Sequence, residues 1–106
     1  MFLGKLAQDV GIPEGVFNII TGDRETGAAL VASPSVSMVS FTGSSLTGTK
    51  IMESSATNLS QVALELGGKS AMVIFADTEI ERAVEATIKG CLTNGGQICT
   101  AHTRLI

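Results

Sequence analysis

The apolar and polar positions follow helical spacing in some segments of the chain and short strand-like runs in others. Helical spacing predicts helices at residues 2–10, 24–32, 46–56 and 79–92. The last is the most amphipathic, because Ile80, Val84 and Ile88 fall on one face. Asp23 precedes the second helix, where its carboxylate can cap the first free N–H groups.

Short runs of apolar and β-branched residues alternate with these helices. They predict strands at residues 16–20, 35–41, 61–66, 71–75 and 103–106. Strands that alternate with helices are typical of an α/β fold with parallel pairing. The pattern therefore predicts an α/β fold, with no internal repeat and no flexible linker.

Composition adds an unusually apolar character to this picture. The chain has 106 residues, enough for one small domain, and 44% of them are hydrophobic. The mean hydropathy is +0.38. Parallel strands covered on both faces would account for so many apolar residues in so short a chain.

Charge and run length argue against several classes of protein. The longest apolar run, AMVIFA at 71–76, is far shorter than the roughly 18 residues of a membrane span. The net charge is −3 without a basic cluster, so we expect no nucleic-acid partner. Cys91 and Cys99 fit neither a metal motif nor a disulfide framework. We therefore expect no metal, reduced thiols and a cytoplasmic location.

The two ends of the chain lack the usual features of natural termini. Residues 2–10 begin a helical pattern without a cap, and the strand-like TRLI closes the chain at 103–106. Natural termini are usually polar and frayed. We therefore expect this sequence to be an internal piece of a longer protein.

The segment FTGSSLTG, residues 41–48, predicts an anion site. A strand runs into Gly43 and Ser44, and a helix follows at once. The N-terminus of a helix offers free N–H groups and favours a phosphate. The glycines Gly43 and Gly48 are spaced GxxxxG, which matches neither GxGxxG nor a P-loop. A plain helix cap is the alternative interpretation.

The segment ELGGK, residues 65–69, contains a candidate general base. Glu65 lies near the end of the apolar strand VALEL. Apolar neighbours raise the pKa of a carboxyl group, and such a group suits general-base chemistry. The alternative is an edge-strand glutamate that faces water or pairs with Lys69.

The segment GGQIC, residues 95–99, contains a candidate nucleophile. Its glycines leave Cys99 accessible and let a substrate approach the backbone. Cys91, in the predicted helix, is expected to be a small core residue. A buried structural thiol and a dyad of Cys99 with His102 are the alternatives for the second cysteine.

The combination of FTGS at 41–44, ELGGK at 65–69 and GQIC at 96–99 resembles the aldehyde dehydrogenase superfamily, in its NAD(P)-dependent hydrolytic branch. GIPEGVFNIITG at 11–22 also resembles that family, so the likeness covers essentially the whole chain. It implies a partial Rossmann-like parallel sheet with helices, followed by the start of the α/β catalytic domain. Residues 1–68 would be the later part of the cofactor-binding domain and 69–106 the start of the catalytic domain.

The resemblance also implies a role for each motif. Cys99 would be the nucleophile that forms a thiohemiacetal and then a thioester, with its own backbone N–H as an oxyanion donor. Glu65 would activate the hydrolytic water. The cofactor, NAD or NADP, would lie along Gly43, Ser44 and Gly48. The family further implies an aldehyde substrate and a homo-oligomeric parent enzyme.

The sequence leaves two alternatives, for the substrate and for the class of protein, and it departs from the family pattern at one position. The run GCLTNGGQICTAHTRLI at 90–106 resembles betaine aldehyde dehydrogenases, but the same core serves succinate semialdehyde. Ala71 stands where many family members have proline. A non-catalytic remnant, or a cysteine hydrolase that uses Cys99 and His102, is the alternative to a dehydrogenase.

Overall fold

A computed structural model describes all 106 residues as a mixture of helices and short parallel strands. The helices are α1 (Phe2–Asp9), α2 (Arg24–Ala32), α3 (Ser45–Asn58) and α4 (Ile80–Leu92). The strands are β1 (Met38–Gly43), β2 (Gln61–Leu66), β3 (Ala71–Met72) and β4 (Arg104–Leu105). A 3₁₀ turn, Thr93–Gly96, follows α4 directly. The predicted α/β class and the helices are confirmed.

Two of the helices begin at side-chain caps. The Asp23 carboxylate accepts a hydrogen bond of 3.0 Å from the Glu25 N–H at the start of α2. The Ser44 hydroxyl accepts one of 3.2 Å from the Thr47 N–H at the start of α3. Because each cap satisfies a donor that the helix leaves free, both helices begin one residue after the cap.

The strands β1 and β2 pair in parallel, and α3 connects them. We call residues 24–66 the first sheet unit. The register runs from Met38 opposite Gln61 to Gly43 opposite Leu66. The helix α3 packs on this pair and buries Gly48, Ile51 and Ser55. The α2 helix lies beside α3, where the Asn58 amide donates to the Ala32 carbonyl at 2.8 Å.

The strands β3 and β4 form a second parallel pair, and residues 71–106 are called the second sheet unit. Hydrogen bonds extend the pairing beyond the strand ends, from the Ile74 N–H to the Ile106 carbonyl at 2.8 Å. Helix α4 connects the two strands, and Ala101 is the buried residue of this unit, at 4% exposure. The two units therefore contain separate two-stranded sheets.

Four strand predictions differ from the structure. The predicted strand 103–106 is assigned only over Arg104–Leu105. Residues 16–20 form no strand, since no segment of the chain pairs with them. The predicted strand 35–41 begins later, at Met38, because Val36 is held in a turn by its N–H bond to the Ser33 carbonyl. The predicted strand 71–75 is assigned only over Ala71–Met72, because its partner β4 is equally short.

The chain as a whole encloses little core. Its radius of gyration is 19.8 Å, against about 13 Å for a globular domain of this length. Only 5 of 106 residues are buried. None of the helices combines the length and the hydropathy that crossing a bilayer requires.

Candidate functional site

The carboxyl ends of β1 and β2 bring two of the predicted motifs to one edge of a sheet. Thr42 pairs with Glu65, and Gly43 pairs with Leu66. The FTGS turn and the ELGG turn therefore leave the sheet side by side. In open α/β sheets, ligands bind in the crevice outside the carboxyl ends of parallel strands. This edge is thus the first candidate for a binding site.

The turn between β1 and α3 has free donors for an anion. The Ser44 hydroxyl caps the helix and also donates to the Thr47 hydroxyl at 3.0 Å. Ser45 and Leu46 occupy the first two helical positions, where N–H groups have no carbonyl to bond within the helix. The expected cap and the expected anion site are therefore compatible, because they use different N–H groups.

The two glycines of this segment allow close packing. A Cβ atom at Gly43 would overlap the Phe41 ring, and one at Gly48 would lie 2.8 Å from the Leu66 side chain. Gly48 is buried on the face of α3 that meets the sheet. Its position is explained by the helix–sheet contact, and its predicted place along a cofactor remains a prediction.

A groove of about 760 Å³ lies between α2, α3 and β1. Its apolar wall includes Leu30, Val31, Val36, Val39, Phe41, Leu46 and Ile51. We call the turn between β1 and α3, residues 43–47, the anion turn. Leu46 and Thr47 belong to it and also line the groove, so the groove reaches this turn. Arg24 and Lys50 are the only charged residues that line it. The groove thus offers an apolar surface beside a phosphate-type turn.

Glu65 is exposed in this structure and faces no apolar enclosure. The expectation that apolar neighbours surround Glu65 is therefore wrong, because its carboxylate lies at the open end of a two-stranded sheet. The alternative pairing with Lys69 is also absent, since the only ion pair of the chain joins Lys5 and Asp9. The carboxylate is free to meet water.

Cys99 lies on the loop that follows α4, and its thiol is exposed. The loop turns through left-handed backbone at Asn94, Gly95 and Gly96, with φ of 54°, 65° and 75°. The Cys99 backbone N–H donates to no carbonyl of the chain. An accessible thiol next to a free N–H is the arrangement that a nucleophile with its own oxyanion donor requires.

Comparison with known proteins identifies the family of the chain. The sequence model of the Aldehyde dehydrogenase family matches residues 1–106. The chain belongs to the aldehyde dehydrogenase family. The resemblance seen in the sequence is thereby confirmed.

The matched relatives include aldehyde dehydrogenases of plants and bacteria. Aminoaldehyde dehydrogenase 1, peroxisomal, of Pisum sativum is 50% identical over 98% of this chain and 21% of its own length. Betaine aldehyde dehydrogenase, chloroplastic, of Beta vulgaris is 49% identical over 97% of this chain and 21% of its own length. The chain thus spans about a fifth of the length of these relatives.

Solved structures of the family share the fold. The NAD⁺ complex of aldehyde dehydrogenase from Bacillus cereus superposes with a TM-score of 0.92 at 40% identity, over 98% of this chain and 21% of that one. 3,6-Anhydro-L-galactose dehydrogenase in complex with NAP gives 0.91 at 42% identity, over 98% and 22%. The Rossmann-like α/β architecture expected for this chain is confirmed by these neighbours.

Cys91 makes a hydrogen bond to the loop that follows α4. It is half-buried in α4, and its thiol donates a hydrogen bond to the His102 carbonyl. A small half-buried cysteine keeps a weak S–H donor, so this bond is compatible with the core position expected for Cys91. An isolated glycine inside a helical pattern, here Gly90, was the sequence signal that a close backbone approach occurs at this point.

His102 does not form a dyad with Cys99 in this structure. Its ring packs against α4, and the ring atom Nδ1 has no hydrogen-bond partner. The hydrolase interpretation therefore gains no support from the geometry. No cluster of His, Cys, Asp and Glu suited to a metal ion is present.

Glu65 and Cys99 lie in different sheet units, and no hydrogen bond joins them. The structure therefore brings together Gly43, Ser44 and Glu65 at one edge, and it presents Cys99 separately on its own loop.

Proposed function

We propose that this chain supplies the nucleophile, the general base and part of the cofactor site of an NAD(P)-dependent aldehyde dehydrogenase. The observation that carries the proposal is the pairing of Thr42 with Glu65, which sets a carboxylate beside the anion turn. The exposed thiol of Cys99 and the membership of the family support it.

The residues at the sheet edge fit a dinucleotide. The free N–H groups of Ser45 and Leu46 would hold the pyrophosphate at the start of α3. The adjoining groove of about 760 Å³ has the size and apolar lining of a ligand pocket and would receive the adenosine part. NAD and NADP are both proposed, because solved relatives are complexes of NAD⁺ and of NAP. When bound, the nicotinamide of the cofactor accepts a hydride.

Cys99 would attack the carbonyl carbon of the aldehyde as a thiolate. The new carbon–sulfur bond gives a thiohemiacetal, whose oxyanion the free N–H of Cys99 would stabilise. Loss of hydride from that carbon leaves a thioester on Cys99. The glycines Gly95 and Gly96 would leave room for the substrate at this loop.

Glu65 would then act as the general base. It would take a proton from water, and the resulting hydroxide would attack the thioester carbon. The carbon–sulfur bond breaks, the carboxylate product leaves, and Cys99 returns as thiolate. The exposure of Glu65 supports this role, because a hydrolytic base must reach water.

We further propose a cationic aldehyde, such as betaine aldehyde or an aminoaldehyde, as the substrate. The support is the 49–50% identity to relatives named for those two substrates. Succinate semialdehyde is the competing substrate. We also propose a reducing compartment such as the cytoplasm, because Cys91 and Cys99 are both free thiols.

The test is a substrate panel on the product of the complete reading frame that encodes these residues. Betaine aldehyde, 4-aminobutanal and succinate semialdehyde are each supplied with NAD and with NADP, and the reduced cofactor is followed by absorbance. We expect the highest kcat/KM with a cationic aldehyde. Preference for succinate semialdehyde would reject the substrate proposal, and no reduced cofactor with any aldehyde would reject the dehydrogenase.

A further inference from the structure

The loop that carries Cys99 is closed at its base by two hydrogen bonds to one residue. The His102 N–H donates to the Gly90 carbonyl at 3.0 Å. The Cys91 thiol donates to the His102 carbonyl. Both the N–H and the carbonyl of His102 are thus bound to the last turn of α4. His102 itself follows Cys99 by only three residues.

Gly90 permits this approach because it has no side chain. A Cβ atom there would lie 2.8 Å from the His102 ring and 2.8 Å from the end of Met72. Real Cβ atoms essentially never lie within 3.0 Å of such a neighbour, so both the His102 ring and the end of the Met72 side chain would have to move. The ring of His102 therefore rests directly on the helix backbone.

The inside of the loop is also fixed by local contacts. The Asn94 amide donates to the Gln97 carbonyl at 3.0 Å, and the Gln97 N–H donates to the Asn94 carbonyl at 3.1 Å. A Cβ atom at Gly96 would lie 3.2 Å from the Cys91 carbonyl. With its base and its first turn both held, the loop has little freedom to present Cys99 in another way.

We propose that Gly90 and Cys91 are positioning residues that set the direction of the Cys99 thiol and backbone N–H. We call the Gly90–Cys91–His102 contact the loop clamp. The proposal rests on the proposed role of Cys99 as nucleophile. The clamp acts through the backbone of His102, so it needs the donor of Cys91 and the absent side chain of Gly90, and it needs no proton transfer by the imidazole.

The test compares Cys91→Val with Cys91→Ser in the product of the complete reading frame. Valine removes the donor, and serine keeps one. Because a misplacement of about 1 Å can cost about a hundredfold in rate, we expect Cys91→Val to lower kcat about tenfold. The KM for NAD should change less than about twofold, since the anion turn proposed to bind NAD lies in the first sheet unit and the clamp lies in the second. Cys91→Ser should recover kcat to within about threefold.

The matched control is Thr87→Val, one turn earlier on the same helix. It removes a hydroxyl that donates to the Met72 sulfur at 3.8 Å and makes no hydrogen bond to Gly90, Cys91 or His102. We expect its kcat to stay within about twofold of the unmodified protein. Gly90→Ala is a second clamp variant, and it should lower kcat in the same way as Cys91→Val without removing the thiol.

A second measurement needs no turnover. The rate at which iodoacetamide alkylates Cys99 is measured at one fixed pH, with fragment-ion mass spectrometry to separate Cys99 from Cys91. We expect Cys91→Val and Gly90→Ala to change this rate and Thr87→Val to leave it unchanged. If the unmodified protein oxidises no aldehyde, the proposed function fails, while the alkylation rates still decide on the clamp. Unchanged kcat and unchanged alkylation in both clamp variants would overturn the inference.

Discussion

The two sheet units hold their helices in different ways. In the first unit, the 14-residue helix α3 buries Gly48, Ile51 and Ser55 against the sheet. In the second, the 13-residue helix α4 buries none of its residues. Its apolar stripe is exposed, with Ile80 at 75% and Leu92 at 64%. The first unit is held by packing, and the Cys99 loop of the second is held by local hydrogen bonds.

Because of this difference, we expect substitutions in the helix–sheet contact of the first unit to change stability and substitutions in the Cys99 loop to change the catalytic rate. The anion turn is supported by a helix that covers a sheet, so substitutions in that contact should act mainly on the free energy of unfolding. The Cys99 loop contributes only one buried residue, Ala101. Substitutions in the loop should therefore act mainly on rate. Variants of the two units should therefore differ in kind, and the catalytic effects are measured in the product of the complete reading frame.

Cys99→Ala should give the largest effect. Removing the nucleophile should lower dehydrogenase and esterase turnover by roughly a thousandfold or more. Binding of NAD should be retained, because the anion turn belongs to the first sheet unit. Turnover is measured by cofactor reduction and binding by fluorescence titration. Retention of more than a small fraction of the dehydrogenase activity would remove Cys99 from the mechanism.

Glu65→Gln should stall the reaction after hydride transfer. A general base contributes roughly 10²–10⁴-fold, so steady-state turnover should fall by that amount. A stopped-flow trace should show one equivalent of reduced cofactor formed quickly, followed by slow turnover. Glu53→Gln, an exposed carboxylate change on α3, is the control and should behave as the unmodified protein. Loss of the burst would mean that Glu65 acts earlier or only in the structure.

The first sheet unit was largely predictable from sequence. The bounds of α2 and β2 agree with the prediction, and Asp23 caps as expected. Local signals suffice here because a cap and an apolar strand are each specified by adjacent residues. The anion turn at Ser44 follows from the same kind of signal.

The second sheet unit was less predictable, because its decisive contacts join residues distant in sequence. The bond from Cys91 to His102 depends on where the loop returns to α4, and a helical pattern contains no such information. The same limit applies to Glu65 in the first sheet unit, because the exposure of its carboxylate depends on what covers the sheet edge. The division of the chain at residue 68 remains a prediction, with β2 before it and β3 after it.

The variants Gly48→Ala and Gly27→Ala test whether close packing of α3 on the sheet stabilises the first sheet unit. Both replace a glycine inside a helix, so both should gain about 0.5–1 kcal/mol from helix propensity. The Cβ at position 48 would meet Leu66 at 2.8 Å, whereas the one at position 27 meets nothing within 4 Å. Overpacking costs about 1–3 kcal/mol, so Gly48→Ala should be the less stable of the two by that amount. Urea unfolding midpoints measure the difference, and equal midpoints would show that α3 does not depend on close packing.

The smallest effect is expected from adding NAD to the isolated 106-residue chain. Saturation at about 100 times the Kd would stabilise a folded site by about 2.7 kcal/mol, which is a rise in melting temperature of roughly 11–22 °C for a chain of this size. The chain buries only 5 of its 106 residues and leaves large apolar side chains such as Phe2, Phe75 and Ile80 more than 70% exposed. Exposed apolar surface of this extent favours association over a cooperative fold. We therefore expect dye binding, a weak near-UV circular dichroism signal and no rise in melting temperature with NAD. A sharp transition that rises by several degrees would show that the packing of the first sheet unit alone completes a cofactor site, and the contrast between the two units would then be greater than the burial indicates.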